Sequence, residues 1–168
     1  MKLNVTSSTN VRWLIGRDLD ECVGIDSVSF DQPLRWSRAE WGDVLREHNT
    51  IGIVYSCKET MRVFGFTVYR LRKPSIEVLK VAVHPLFRRQ GIGRAMSEKI
   101  KTKLTQQRRQ HATAEVEERN LDGQLWLQAC GWKCVTSVGP SHDRVLRFVV
   151  SPQSAWRCVN VSAVKADE

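Results

Sequence analysis

Between Val83 and Met96 the chain reads VHPLFRRQGIGRAM, with Gly91 and Gly93 two residues apart behind Arg88 and Arg89. The stretch lies where an apolar, strand-like run gives way to a helical pattern. The first N–H groups of a helix have no internal partner, and the helix dipole favours negative charge there. A loop that opens a helix therefore suits a phosphate. Glycines let phosphate oxygens approach the amides without a Cβ in the way. Arg88, Arg89 and Arg94 add cationic donors at the rim. The chemistry this suggests is capture of a pyrophosphate. Two familiar loops fail on spacing. The chain has no GxxxxGK[ST] run. Met96 stands where a GxGxxG fingerprint needs its third glycine, and no ribose-binding acid is evident about 20 residues on. What remains is Arg-x-x-Gly-x-Gly at Arg88, Gly91 and Gly93, or a tight turn whose glycines serve sterics alone.

The elements that must hold this loop follow from periodicity. NVRWLI reads as a first strand, and RDLDECVGIDSVSF as a helix with Leu19, Val23, Ile25 and Phe30 on one face. After the loop DQPLRW, Ser37 and Glu40 have the spacing of a capping box for a helix through RAEWGDVLREH. TIGIVYSC and RVFGFTVYRL are rich in β-branched and aromatic residues and read as an antiparallel pair turning at KETM. SIEVLKVAV is nearly continuously apolar, which predicts a central strand, ended by Pro85. From Gly91 a helical stripe runs through Ile92, Ala95, Met96, Ile100 and Leu104. ATAEVEE reads as a strand, LDGQLWLQACG as a short helix with Gly131 as its C-cap, and KCVTSV and RVLRFVV as a last strand pair. The order predicts a mixed α/β sheet in a single layer pair.

At 168 residues the chain is expected to form one domain over residues 1–150, with a tail at 151–168. The N-terminus has no apolar signal core, and no apolar run approaches the roughly 20 residues of a membrane span. A cytoplasmic protein without a membrane partner is the expectation. The five cysteines include no pair with zinc spacing, so no metal is expected. The net charge of +8 suits nucleic acid, an acidic partner or an anionic cofactor. Part of it lies in KIKTKLTQQRRQH, read as an exposed helix face.

The run LKVAVHPLFRRQGIGRAM resembles the coenzyme A signature of the GNAT superfamily of N-acetyltransferases, whose loop is [Q/R]-x-x-G-x-[G/A]. AEVEERNLDGQLWLQACGW resembles the family's second pattern, V-R-x-x-N-x-x-A-x-x-x-Y-x-x-x-G-F, with Val116, Asn120, Gly131 and Trp132 in place. Within the superfamily the chain is most similar to the ribosomal-protein alanine N-acetyltransferases, over roughly residues 11 to 150. SFDQPLRWSRAEW is similar to a loop–helix element of those enzymes.

The resemblance implies an α/β (α+β) GNAT fold: a mixed, mostly antiparallel sheet of six to seven strands flanked by about four helices. It implies acetyl-CoA (coenzyme A) as cofactor. Main-chain groups of Val81, Ala82 and Val83 would take the pantetheine arm and thioester, and the Val83 N–H the oxyanion. Arg88 opens the loop, and amides of Arg89, Gln90, Gly91, Ile92, Gly93 and Arg94 would hold the pyrophosphate. Asn120 would bond the pantetheine arm or cap a helix, or both. Glu115 stands where those enzymes have a general base. Glu115 and Glu117 share a strand face, and two close carboxylates would raise one pKa, which suits a base. The implied reaction is acetyl transfer to a protein N-terminal α-amine, such as that of a ribosomal protein. The unperturbed pKa of such an amine, about 7.7–8.0, asks only a modest base.

Three positions depart from the pattern. Glu117 replaces an arginine, Gly123 an alanine, and Leu127 the tyrosine that protonates the departing thiolate in many relatives. Tyr55, Tyr69 and His84 are other acids that the chain offers, and a thiol of pKa about 8.5 departs reasonably well without one. The alternatives are a small-amine acetyltransferase and a non-catalytic coenzyme A or RNA binder. Nucleic acid is expected only through a ribosomal substrate, because no RNA- or DNA-binding motif is present. The oligomeric expectation is a monomer or a homodimer.

Overall fold

The two runs richest in β-branched and aromatic residues become the interior of the sheet. In the computed structural model, which describes residues 9–140 and 144–152, they are β2 (Thr50–Cys57) and β3 (Val63–Leu71). The other strands are β1 (Thr9–Trp13), β4 (Ser75–Val83), β5 (His111–Glu117), β6 (Lys133–Val138) and β7 (Val145–Val150). The helices are α1 (Leu19–Ser29), α2 (Arg38–Arg46), α3 (Ile92–Gln106) and α4 (Leu121–Ala129). The seven strands form one sheet in the order β1-β2-β3-β4-β5-β7-β6, antiparallel throughout except for β4 beside β5. The fold is the expected mixed, mostly antiparallel sheet with four helices. From residue 153 the expected tail lies outside the described residues.

The expectation of a single layer pair is corrected. Consecutive residues of β3, Val63 to Tyr69, are buried, so both faces of the sheet need cover. On one face Cys22, Ile25 and Trp41 of α1 and α2 pack on Val54, Phe66 and Val68. On the other, Ile92, Met96, Ile100 and Leu104 of α3 recur every fourth residue against Tyr55, Tyr69 and Ile76. Burying each such side chain contributes about 1.5–3 kcal/mol. Ala95 was expected on this stripe but is exposed, and Ser97 is buried in its place. The stripe is rotated because Trp132 reaches across from beyond α4 and donates its Nε1–H to Ser97 Oγ at 2.8 Å.

Local signals set the helix ends. Ser37 Oγ accepts the Glu40 N–H at 3.2 Å, and Glu40 Oε2 accepts the Ser37 N–H at 2.7 Å. Such caps stabilise by about 1 kcal/mol. α2 stops at Arg46, two residues short of expectation, because the chain turns through Asn49 at φ +64°. α1 starts after a 3-10 turn, Gly16–Asp18, whose Asp18 carboxylate takes both Arg12 donors at 2.6 and 2.7 Å. Among the described residues no helix is long and apolar enough to cross a membrane.

Candidate active site

The parallel strands β4 and β5 pair only from Ser75–Val78 against His111–Ala114. At that point the β3–β4 register slips between Val68–Lys80 and Tyr69–Val78, leaving Leu79 as a bulge. A bulge bends its strand. Beyond it Leu79–Val83 and Glu115–Glu117 are no longer paired with each other, and a wedge opens at the carboxyl ends of the two strands. That is where open α/β sheets bind ligands.

The ladder period decides which main chain faces the wedge. His84 N donates to Phe64 O at 2.9 Å, so Ala82 and Lys80, two and four residues back, also face β3. Val81 and Val83 face the wedge instead, and their side chains pack into the α3-side core. Val83 O already accepts from Arg88 Nε at 3.1 Å, which leaves its N–H. Ala82, also expected at the cofactor, spends its main chain on Phe66. On the far side Glu118 N donates to Arg144 O at 2.9 Å, so Glu115 and Glu117 present their main chain to the wedge.

The loop after β4 is fixed by its own side chains. His84 Nδ1 accepts the Leu86 N–H at 3.2 Å, and Phe87 packs 4.5 Å from the ring centre of Phe64. Gln90 Nε2 donates to Leu86 O at 3.2 Å. The backbone then passes through Arg89 at φ +60° and Gly91 at φ +84°, the second of which glycine adopts without strain. The first bond of α3 runs from Ala95 N to Gly91 O at 3.0 Å, and among the described residues the amides of Gly91, Ile92, Gly93 and Arg94 have no acceptor. Arg89 and Arg94 lie exposed beside them. This is a cradle of free donors for an anion. A Cβ at Gly93 would lie 2.8 Å from Trp126 Nε1, so glycine is required there by close approach. That indole nitrogen is itself buried without an acceptor, a cost of about 1–3 kcal/mol for the free chain. The residues present therefore fit a pyrophosphate-carrying cofactor such as coenzyme A.

Asn120 caps α4, its Oδ1 accepting the Gly123 N–H at 2.9 Å. The cap explains Gly123, where a Cβ would come within 2.9 Å of the Asn120 amide nitrogen. Each of the two glutamates has an arginine partner. Arg147 of β7 stands opposite Glu115 and donates to Glu115 Oε1 from Nε at 3.0 Å and Nη2 at 2.6 Å. Glu117 takes Arg119 Nε at 2.8 Å, and Glu118 pairs with Arg144 at 3.6 Å. Leu127 is 1% exposed in the α3-side core. Tyr55 and Tyr69 are fully buried; burial pushes Tyr69 up to about 12 and Tyr55 higher still.

Sequence reasoning missed a buried network on the opposite face. Lys80 Nζ donates to Asp26 Oδ1 and Oδ2 at 2.8 and 2.7 Å and to Leu34 O at 2.7 Å. It sits 4.2 Å from the Trp36 ring centre and 4.8 Å from that of Phe30. Asp26 also accepts Trp41 Nε1–H at 2.8 Å. Burial pulls Lys80 below the usual lysine range, and Asp26 partly offsets it. The network pins the Phe30–Trp36 segment against β4. Its sequence signal was the single charge within the apolar run VLKVAV. Among the described residues no cluster of His, Cys, Asp and Glu suits a metal ion.

The profile of the acetyltransferase (GNAT) family matches residues 14–132. No curated protein sequence matches the chain. Among solved structures, the ribosomal-protein-S18-alanine N-acetyltransferase of Escherichia coli is similar at TM-score 0.73 and 15% identity, covering 90% of this chain and 99% of that one. Ard1 of Thermoplasma volcanium has TM-score 0.75 and 19% identity, covering 86% and 97%. The spermidine N-acetyltransferase of Vibrio cholerae, solved with CoA and spermine, has TM-score 0.70 and 14% identity, covering 88% and 98%. At such identities these likenesses speak to fold.

Proposed function

The chain belongs to the GNAT family of acetyltransferases, and from that premise we propose that it acetylates the N-terminal α-amine of a protein, such as a ribosomal protein, with acetyl-CoA. When bound, acetyl-CoA supplies a thioester carbonyl open to attack by an amine. Amides of Gly91 to Arg94 hold the pyrophosphate, with Arg89 and Arg94 at the rim. Main-chain groups of Val81 and Val83 would hold the arm, and the Val83 N–H would be the donor for the thioester oxygen. Glu115 accepts the amine proton, directly or through one water, at the oxygen that Arg147 leaves free. With Leu127 buried, α4 offers no acid. A thiol of pKa about 8.5 would be a fair leaving group without one.

The observation that supports an α-amine over a polyamine is the pairing of the three glutamates at the end of β5 with arginines: Glu115 with Arg147, Glu117 with Arg119, Glu118 with Arg144. A multiply charged polyamine needs unneutralised carboxylates, and this chain carries a net charge of +8. A single amine asks for less: the one carboxylate oxygen of Glu115 that Arg147 does not take. The proposal includes the cytoplasmic setting expected from the sequence. The test is an acetylation assay with acetyl-CoA over a panel of peptide N-termini, spermidine and other small amines. Modification of peptide α-amines is expected; modification of spermidine alone would reverse the choice of acceptor.

A further inference from the structure

We infer that Trp126 contacts the cofactor, its indole N–H donating to an oxygen of coenzyme A beside the first turn of α3. The inference rests on the cofactor reading above and adds a residue that the family patterns leave unspecified. α4 offers the wedge no polar side chain at Leu127, which is buried in the core. One position earlier, Trp126 turns toward α3. Of its ring atoms, Nε1 lies nearest to where a Gly93 Cβ would be, at 2.8 Å, with Cδ1 at 3.4 Å and Cε2 at 3.6 Å. The polar edge of the indole therefore faces the glycine of the loop.

Two other buried indoles, among the described residues, are satisfied. Trp41 Nε1 donates to Asp26 and Trp132 Nε1 to Ser97, each at 2.8 Å. Trp126 Nε1 is equally shut off from solvent and has no acceptor. It borders a small cavity with Thr67, Val78, Val81 and Met96, and Thr67 Oγ1 also lacks a partner. Beside it stand the amides of Gly91 to Arg94, which have none either among the described residues. The indole and these amides are donors without a partner, and the Thr67 hydroxyl, which can give or take, is unpartnered too. An indole N–H only donates, so what completes the group is a phosphate or amide oxygen. Trp126 binds and does not serve as the missing acid.

The test uses the full-length protein labelled with 15N, whose six tryptophans give six indole N–H signals. The Trp126 signal is the one lost in Trp126→Phe or Trp126→Tyr. On addition of acetyl-CoA it is expected to move most of the six. ADP alone reproduces the shift if the acceptor is the pyrophosphate, and pantetheine alone if it is an amide of the arm. By calorimetry Trp126→Phe is expected to bind acetyl-CoA about tenfold more weakly. If neither variant folds, triple-resonance assignment of the wild-type protein identifies the Trp126 signal, and its titration decides. Binding of acetyl-CoA with an unmoved Trp126 signal, or with equal affinity in Trp126→Phe, overturns this inference alone. No binding of acetyl-CoA by the wild-type protein overturns the cofactor reading and the inference with it.

Discussion

Arg147 and Glu115 face each other across the β5–β7 ladder, and the arginine grips one carboxylate oxygen through two nitrogens at 3.0 and 2.6 Å. The glutamate side chain is 55% exposed and that of the arginine 44%, so the pair is worth only about 0–1 kcal/mol to stability. Its consequence is orientation. Glu115→Gln is expected to lower kcat about 100-fold while leaving acetyl-CoA affinity and Tm near wild type. Unchanged turnover at pH 7 would remove Glu115 from the role of base. Arg147→Leu is expected to lower kcat less, with Tm again near wild type.

Gly65 of β3 lies under the end of β4. A Cβ there would meet Ala82 O and Met96 Cε, both at 2.6 Å. The first is backbone and has little room to yield. Gly65→Ala is expected to destabilise the fold by about 1–3 kcal/mol and to disturb β4 beside the wedge. Urea unfolding checks the first effect and calorimetry with acetyl-CoA the second. A variant of wild-type stability would mean that β3 and β4 separate freely.

Lys80 and Asp26 form a buried pair. Lys80→Met leaves the Asp26 carboxylate with only Trp41 Nε1–H and the Trp36 N–H as donors. Breaking such a pair costs roughly 3–5 kcal/mol, whereas replacing both partners with apolar residues is often nearly neutral. Lys80→Met is therefore expected to unfold at markedly lower urea, and the double variant Lys80→Met, Asp26→Leu to recover most of the loss. Equal loss in both would show that the Phe30–Trp36 segment depends on the charges themselves.

Leu127→Tyr restores the common residue of the family pattern but places it in a filled core. The expected result is a loss of about 1–3 kcal/mol with no gain in kcat. A faster chemical step would show that the new hydroxyl reaches the wedge.

What the sequence revealed was local. The capping box at Ser37 and Glu40, the turn at KETM, the stripe of α3 and the glycine loop each depend on residues a few positions apart, and each is found nearly where expected. What it hid depends on strand order and register. Arg147 meets Glu115 across 32 positions only because β7 inserts between β5 and β6. Lys80 meets Asp26 across 54 positions because α1 crosses the face opposite α3. Trp126 read as one more apolar position of a short helix; that its nitrogen faces Gly93 follows from how α3 and α4 pack. Of the two glutamates on one face of β5, Glu117 has its arginine two residues away, at Arg119, whereas that of Glu115 comes from another strand.

The central claim is that the free amides at the start of α3 hold the pyrophosphate of acetyl-CoA. A crystal structure of the protein grown with acetyl-CoA tests it most directly. Phosphate oxygens within hydrogen-bond distance of the amides of Gly91 to Arg94, with the arm running between β4 and β5, are the expected result. A cofactor bound elsewhere, or a loop whose amides had turned to partners of their own, would contradict it.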